Sequence, residues 1–177
     1  TNFGIFCIFV ALINMGQAIS GPYFTVYMLN ILNFNYVTYS SVVLANSLTA
    51  VFVFPIAGKL ADKYGNITIL KSGALILPIL PILWVFLITP IALSLGPQFL
   101  SGIGWTLFNL SASNFIIEAI PAKQRGYYLA YYNLMIGIGI FFGSIIGAII
   151  FQFAGAIEEV MGFKMVFLIS GLFRGAV

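Results

Sequence analysis

The sequence predicts an all-α bundle of six transmembrane helices, and three observations predict it. Apolar residues make up 62% of the 177 and charged residues only 6%, with a mean hydropathy of +1.11; an ordinary soluble domain is about 25% charged. The solvent for most of this surface is therefore lipid. The apolar runs are continuous for roughly 20 residues, the length a helix needs to cross the hydrocarbon core, rather than alternating over about 10 as membrane β-strands do. Windows between glycine, proline and charge clusters divide the chain into six such runs, which leaves no room for a soluble domain.

Helix one is expected near residues 3–30. It carries Asn14 and Gln17, three apart and so on one face, then a Gly21-Pro22 break and two tyrosines, Tyr23 and Tyr27, placed to gate or to belt the outer end. The chain opens Thr1-Asn2-Phe3, which reads as a helix cut from a longer protein rather than a signal peptide, with further sequence expected on at least one side. Helix two is expected over 37–57, with Asn46, and helix three over 69–89. Helix four, over 92–119, carries Gln98, Trp105, Asn109 and Asn114; Trp105 and Asn109 share a face. Helix five, over 127–153, carries Asn133, Gln152 and the ladder Gly139, Gly143, Gly147, spaced for close approach of another helix. Tyr127, Tyr128, Tyr131 and Tyr132 at its start form an expected interfacial aromatic belt. Helix six is expected over 161–177.

The few charges fix an orientation and exclude several chemistries. Lys59, Lys63 and Lys71 flank the connection between helices two and three, and Lys123 and Arg125 lie between helices four and five. With six spans both connections face the same side, together with the chain ends and Arg174, so the positive-inside rule makes residues 59–71 and 121–126 cytoplasmic. Glu158, Glu159 and Lys164 fall outside. A net charge of +3 from seven cations and four acids is too sparse for a nucleic-acid surface; the partner of these cations is the bilayer. One cysteine, Cys7, and no histidine remove disulfide frameworks, the common zinc sites and histidine-based triads, and no cofactor or metal is implied. No Asp or Glu falls in the middle of a span, so this chain offers no buried proton-carrying carboxylate.

Two connections carry the most specific pattern. The first reads Gly58-Lys59-Leu60-Ala61-Asp62-Lys63-Tyr64-Gly65-Asn66, and the second Glu118-Ala119-Ile120-Pro121-Ala122-Lys123-Gln124-Arg125-Gly126. Glycines at 58 and 65 suit a tight turn and close helix approach, and a carboxylate at Asp62 can face the positive end of a neighbouring helix. Together, in a six-span chain, these segments resemble the signature loops of the major facilitator superfamily. The departure is Asn66-Ile67-Thr68, where that family usually has further cations. The resemblance implies one half of a twelve-helix carrier that moves a small solute by alternating access in the cell membrane, working against a second six-helix half. Gly58, Asp62, Lys63, Gly65, Glu118 and Arg125 are then the residues of a conformational latch.

The amide side chains fall on helices one, two, four and five and none on three and six, matching the family's cavity-lining helices. Asn14, Gln17, Asn46, Trp105, Asn109 and Asn133 are the substrate-cavity candidates. The alternative role for each amide is an interhelical hydrogen bond, worth about 0.6–2 kcal/mol in a membrane. The helix-five ladder resembles the family's antiporter motif but has Ser144 for the expected proline and Ala148 for the final glycine, so antiport is not inferred. The Gly21–Leu29 segment and the Ser170–Arg174 ending point to the C-terminal half. Competing classes are a transporter-like sensor or scaffold and an intramembrane enzyme; the latter lacks a catalytic constellation in the spans. Substrate identity is not written in amides and aromatics, which bind many solutes.

Overall fold

A computed structural model describes residues 2–177, and all its regular secondary structure is helical. Helix one spans Phe3–Ile31, helix two Tyr36–Tyr64, helix three Asn66–Phe86, helix four Pro90–Ala119 and helix five Ala122–Gly155. These five are long and apolar enough to cross a membrane. Helix six, Glu159–Ala176, has 18 residues and carries Glu159, Lys164 and Arg174. The protein is a polytopic all-α membrane bundle.

The ends of the helices follow local chemistry. Asn35 caps helix two, its side chain accepting from the Thr38 N–H at 2.8 Å, and Thr89 caps helix four, accepting from Ala92 N–H at 3.3 Å. Helix two does not stop near residue 57 but continues to Tyr64. Between 58 and 64 only Gly58 disfavours a helix, and a Cβ there would meet nothing within 4 Å. The connection to helix three is thus a single residue, Gly65, at φ +85°, a conformation natural to glycine. Helix three breaks at Leu77–Pro78 because Pro78 and Pro81 lack the N–H groups that would bond the carbonyls of Ala74 and Leu77. Pro97 sits in a widened turn of helix four, Ser94–Gln98, a usual accommodation of an internal proline.

Packing produces two three-helix clusters, one of helices one, five and six and the other of two, three and four, bridged where helix six meets helix three. The glycine ladder of helix five sets the first cluster. A Cβ at Gly139, Gly143 or Gly147 would strike the carbonyl of Ala11, Met15 or Ile19 respectively. Both series advance by four in the same sense, so helices one and five run parallel. Gly102 of helix four lies as close to Asn46 and Thr49 of helix two, and Gly73 of helix three lies against Gly104 and Phe108 of helix four. Helices two and five are the least buried.

The helix ends sort into two faces. Asn66, at the start of helix three, bonds Glu118 near the end of helix four, and Phe3 meets Tyr128 edge-on at 5.0 Å. The start of helix one and the two-to-three and four-to-five connections therefore share one end. At the other, Tyr23 stacks on Phe151 at 4.9 Å, Phe163 packs on Phe151 at 4.8 Å, and the five-to-six connection closes.

Candidate substrate pocket

Helix six places a cation inside the bundle. Ser170 and Arg174, four apart, share the face turned toward helices one and three, and both are buried, Arg174 to 3% exposure. The expected position of Arg174 among the cytoplasmic cations is therefore corrected: it lies level with Gly16 and Gln17, midway along helix one, and with Leu77, midway along helix three. Small residues make the room. A Cβ on Gly16 would meet Arg174 Cγ at 2.6 Å, and one on Gly171 would meet Ile82 Cγ1 at 2.6 Å and the Pro78 carbonyl at 2.9 Å.

The guanidinium is held by neutral groups. Its Nη1 donates to the Leu77 carbonyl at 3.1 Å, the acceptor that Pro81 deprives of a helical donor. Its Nη2 faces the Gly16 carbonyl at 3.2 Å, Gln17 Oε1 at 2.9 Å, Ser20 Oγ at 3.0 Å and Ser170 Oγ at 2.9 Å. Ser170 Oγ also donates to the Gly16 carbonyl at 2.7 Å. Nε is buried without a partner. Charges at this depth are costly and mark solute pathways or paired sites.

Beside the guanidinium is a pocket of about 160 Å³ lined by the polar Gln17, Asn46, Gln98, Ser101 and Trp105 together with Arg174; Phe24, Leu80, Trp84 and Pro97 complete its wall. Asn46 Nδ2 donates to Ser101 Oγ at 2.7 Å, tying helices two and four. Asn46 and Trp105 also line a second pocket, of about 260 Å³, which continues along the helix two–helix four surface past Asn109.

Of the sequence candidates, the structure brings together Gln17, Asn46 and Trp105, with the exposed Asn109 at the second pocket's edge. Asn14 bonds the Val10 carbonyl of its own helix at 2.8 Å and lines neither pocket. Asn133 is exposed on helix five, apart from the others. The first pocket does not follow the expected division of helices: helices three and six supply Leu80, Trp84 and Arg174 to it, and helix five supplies none. Tyr27 is a core residue, 2% exposed, between Phe163 and Phe167. The tyrosine belt splits: Tyr127 is exposed, whereas Tyr132 stacks on Phe6 at 5.9 Å.

The residues expected to form a latch stand at the end opposite the five-to-six connection. Asp62 is exposed, in the last turn of helix two, and Lys63 Nζ lies 5.0 Å from the Tyr64 ring centroid. Arg125 is turned to helix four, donating from Nη2 to the Ile117 carbonyl at 2.9 Å and from Nε to the Ile120 carbonyl at 3.2 Å, where it satisfies a helix end. Sequence reasoning marked Asn66 only as a departure from the family pattern and gave it no role. It donates to Glu118 Oε1 at 2.7 Å and accepts from Asn114 Nδ2 at 3.2 Å, so an amide couples the two connections at the position where further cations were expected. Among the described residues no group of three or more His, Cys, Asp or Glu is placed to hold a metal ion.

A family model described as Major Facilitator Superfamily matches residues 6–176. No curated protein and no solved structure matches the chain.

Proposed function

The chain belongs to the Major Facilitator Superfamily, a family of membrane transporters, and from that premise we propose that it is one six-helix half of a carrier moving a small solute by alternating access. The observation that carries this reading is the polar pocket at mid-depth, enclosed by helices from both three-helix clusters. In an apolar bundle, a buried cation flanked by half-buried amides and a hydroxyl is expensive unless it serves a path or a partner. A site near the midplane between helices is where a carrier that rocks about its substrate must hold it. No covalent step is needed.

The second six-helix half supplies the opposing wall, and the sparsely buried faces of helices two and five are the surfaces left for it or for lipid. We assign this chain to the C-terminal half on its Gly21–Leu29 and Ser170–Arg174 segments. With Arg174 inside the bundle, Lys59, Lys63, Lys71, Lys123 and Arg125 still stand at one end against Lys164 at the other. That imbalance supports a cytoplasmic face for residues 59–71 and 121–126 in the cell membrane.

Uptake into lipid vesicles holding the full-length protein tests the proposal. Saturable uptake that is stimulated by the same solute preloaded inside is expected of a carrier. Solute binding with no flux in either direction would identify a sensor instead.

A further inference from the structure

We propose that the pocket beside Arg174 takes a compact oxyanion, a carboxylate or phosphate group of the solute, with the guanidinium as its counter-charge. The inference rests on the carrier reading and narrows it to a substrate class. Arg174 is 3% exposed, and every group it bonds is a carbonyl, an amide oxygen or a hydroxyl. Those contacts orient the cation and leave its charge uncompensated. A charge at this depth marks a solute pathway or a paired site, and no acidic residue lines the pocket to pair with it.

The donor count points the same way. A guanidinium carries five N–H bonds. The Nε–H has no partner, and the two hydrogens of Nη2 face four acceptors, so Nη2 alone meets more oxygens than it can serve at once while other N–H bonds of the same cation stay free. An arriving oxyanion can take a hydrogen now shared with Gln17 Oε1, since Ser20, Ser170 and the Gly16 carbonyl keep the guanidinium in place. The Gln17 amide then turns its own N–H bonds to the anion. Across the pocket, the hydroxyl of Ser101 and the amides of Asn46 and Gln98 offer further donors. A volume of about 160 Å³ holds a small acid or the anionic head of a longer solute that extends along the second pocket.

The experiment uses the full-length protein in detergent and in vesicles, with lactate, succinate and inorganic phosphate as probes and lactamide and glycerol as neutral counterparts. At least one anion is expected to raise Tm by several degrees and its neutral counterpart not, with lactate or succinate marking a carboxylate site and inorganic phosphate a phosphate site. Arg174→Gln is expected to weaken the effective anion on the order of a hundredfold, and Arg174→Lys to keep the preference for anions at lower affinity. Because Arg174→Gln can also disturb folding, Ser101→Leu provides a second variant that fills the pocket without touching the guanidinium, and it is expected to abolish the shift. Equal effects of lactate and lactamide, the absence of a shift with every anion, or a shift that survives Ser101→Leu would overturn the proposal. Failure of the carrier reading looks different: the protein would then bind an anion and pass no solute, whereas saturable uptake of neutral solutes indifferent to Arg174 sinks the anion site alone.

Discussion

Gly143 sits where helix five crosses helix one at backbone distance, and a side chain there has no space to enter because its obstacle is the Met15 carbonyl, part of a helix, rather than a movable side chain. Gly143→Ala must push two parallel helices apart, and overpacking of this kind costs about 1–3 kcal/mol. Gly58 makes the contrast. It is also a helical glycine in a motif, yet a Cβ on it meets nothing within 4 Å, so Gly58→Ala should be neutral or stabilise by up to about 1 kcal/mol through helix propensity. Thermal unfolding in detergent separates them: a Tm drop of several degrees for Gly143→Ala and none for Gly58→Ala is the expected result. Comparable drops would mean that Gly58 is held against a surface outside these six helices. The spacing of Gly139, Gly143 and Gly147 made this contact legible in the sequence, since only close packing rewards glycine at every fourth position of an apolar helix. Arg174 was not legible in the same way. A cation near the end of an apolar run reads as an interfacial anchor, and only the lateral packing of helix six between helices one and three puts it inside.

At the scale of the helix, prolines explain much of what the sequence left open. The windowed hydropathy anticipated the succession of helices but not their internal breaks, because a break costs no hydrophobicity; it is written in the Pro78 and Pro81 pair and in Pro97. The consequence for helix three is specific. Pro81 leaves the Leu77 carbonyl without an intrahelical donor, and Arg174 Nη1 takes that carbonyl at 3.1 Å. The two residues should therefore be energetically coupled although one lies on helix three and the other on helix six. Pro81→Ala gives Leu77 a donor of its own, so Arg174→Lys should cost less stability in that background than in the native chain, with a coupling energy on the order of 0.5–1.5 kcal/mol. Additive costs in a double-mutant cycle read by chemical unfolding would remove the carbonyl from the list of Arg174's partners. Helix count and direction admit a separate check. Single cysteines at Lys123 and Glu158, with the buried Cys7 replaced, should react with a membrane-impermeant reagent from opposite sides of the membrane, and Lys63 and Lys123 from the same side. Labelling of the Lys123 and Glu158 positions from one side would break the six-span topology.

For the whole molecule, the question is what the charges at the Lys-rich end do when the bundle moves. Sequence reasoning located this end well, because signature residues and charge bias coincide there, but it could not say which partner each charge holds in a given arrangement. In this structure Arg125 spends its guanidinium on the carbonyls of Ile117 and Ile120, Glu118 accepts from Asn66, and Asp62 stands exposed at the end of helix two. The chain passes from helix two to helix three through Gly65 alone, Ala57 and Ala61 of helix two pack in one cluster with Ile69 of helix three, and Asn66 couples that joint to helix four, so a displacement of this corner carries Asp62 with it. We propose that Asp62 acts when this end closes, by meeting the positive N-terminal end of helix five near Arg125. A carboxylate at a helix N-terminus is worth about 0.3–2 kcal/mol, enough to shift a two-state balance by a factor of about 2 to 30 and too little to decide folding. Asp62→Asn in the full-length carrier should thus slow flux severalfold while expression and solute binding stay near normal, because the residue is remote from Gln17, Asn46 and Trp105. Trp105→Ala should do the reverse, weakening binding before it touches the rate of exchange at saturation. Binding and flux measured side by side for both variants in vesicles decide the matter: normal flux through Asp62→Asn, or a defect confined to its solute affinity, would show that this corner is a structural joint and not a latch.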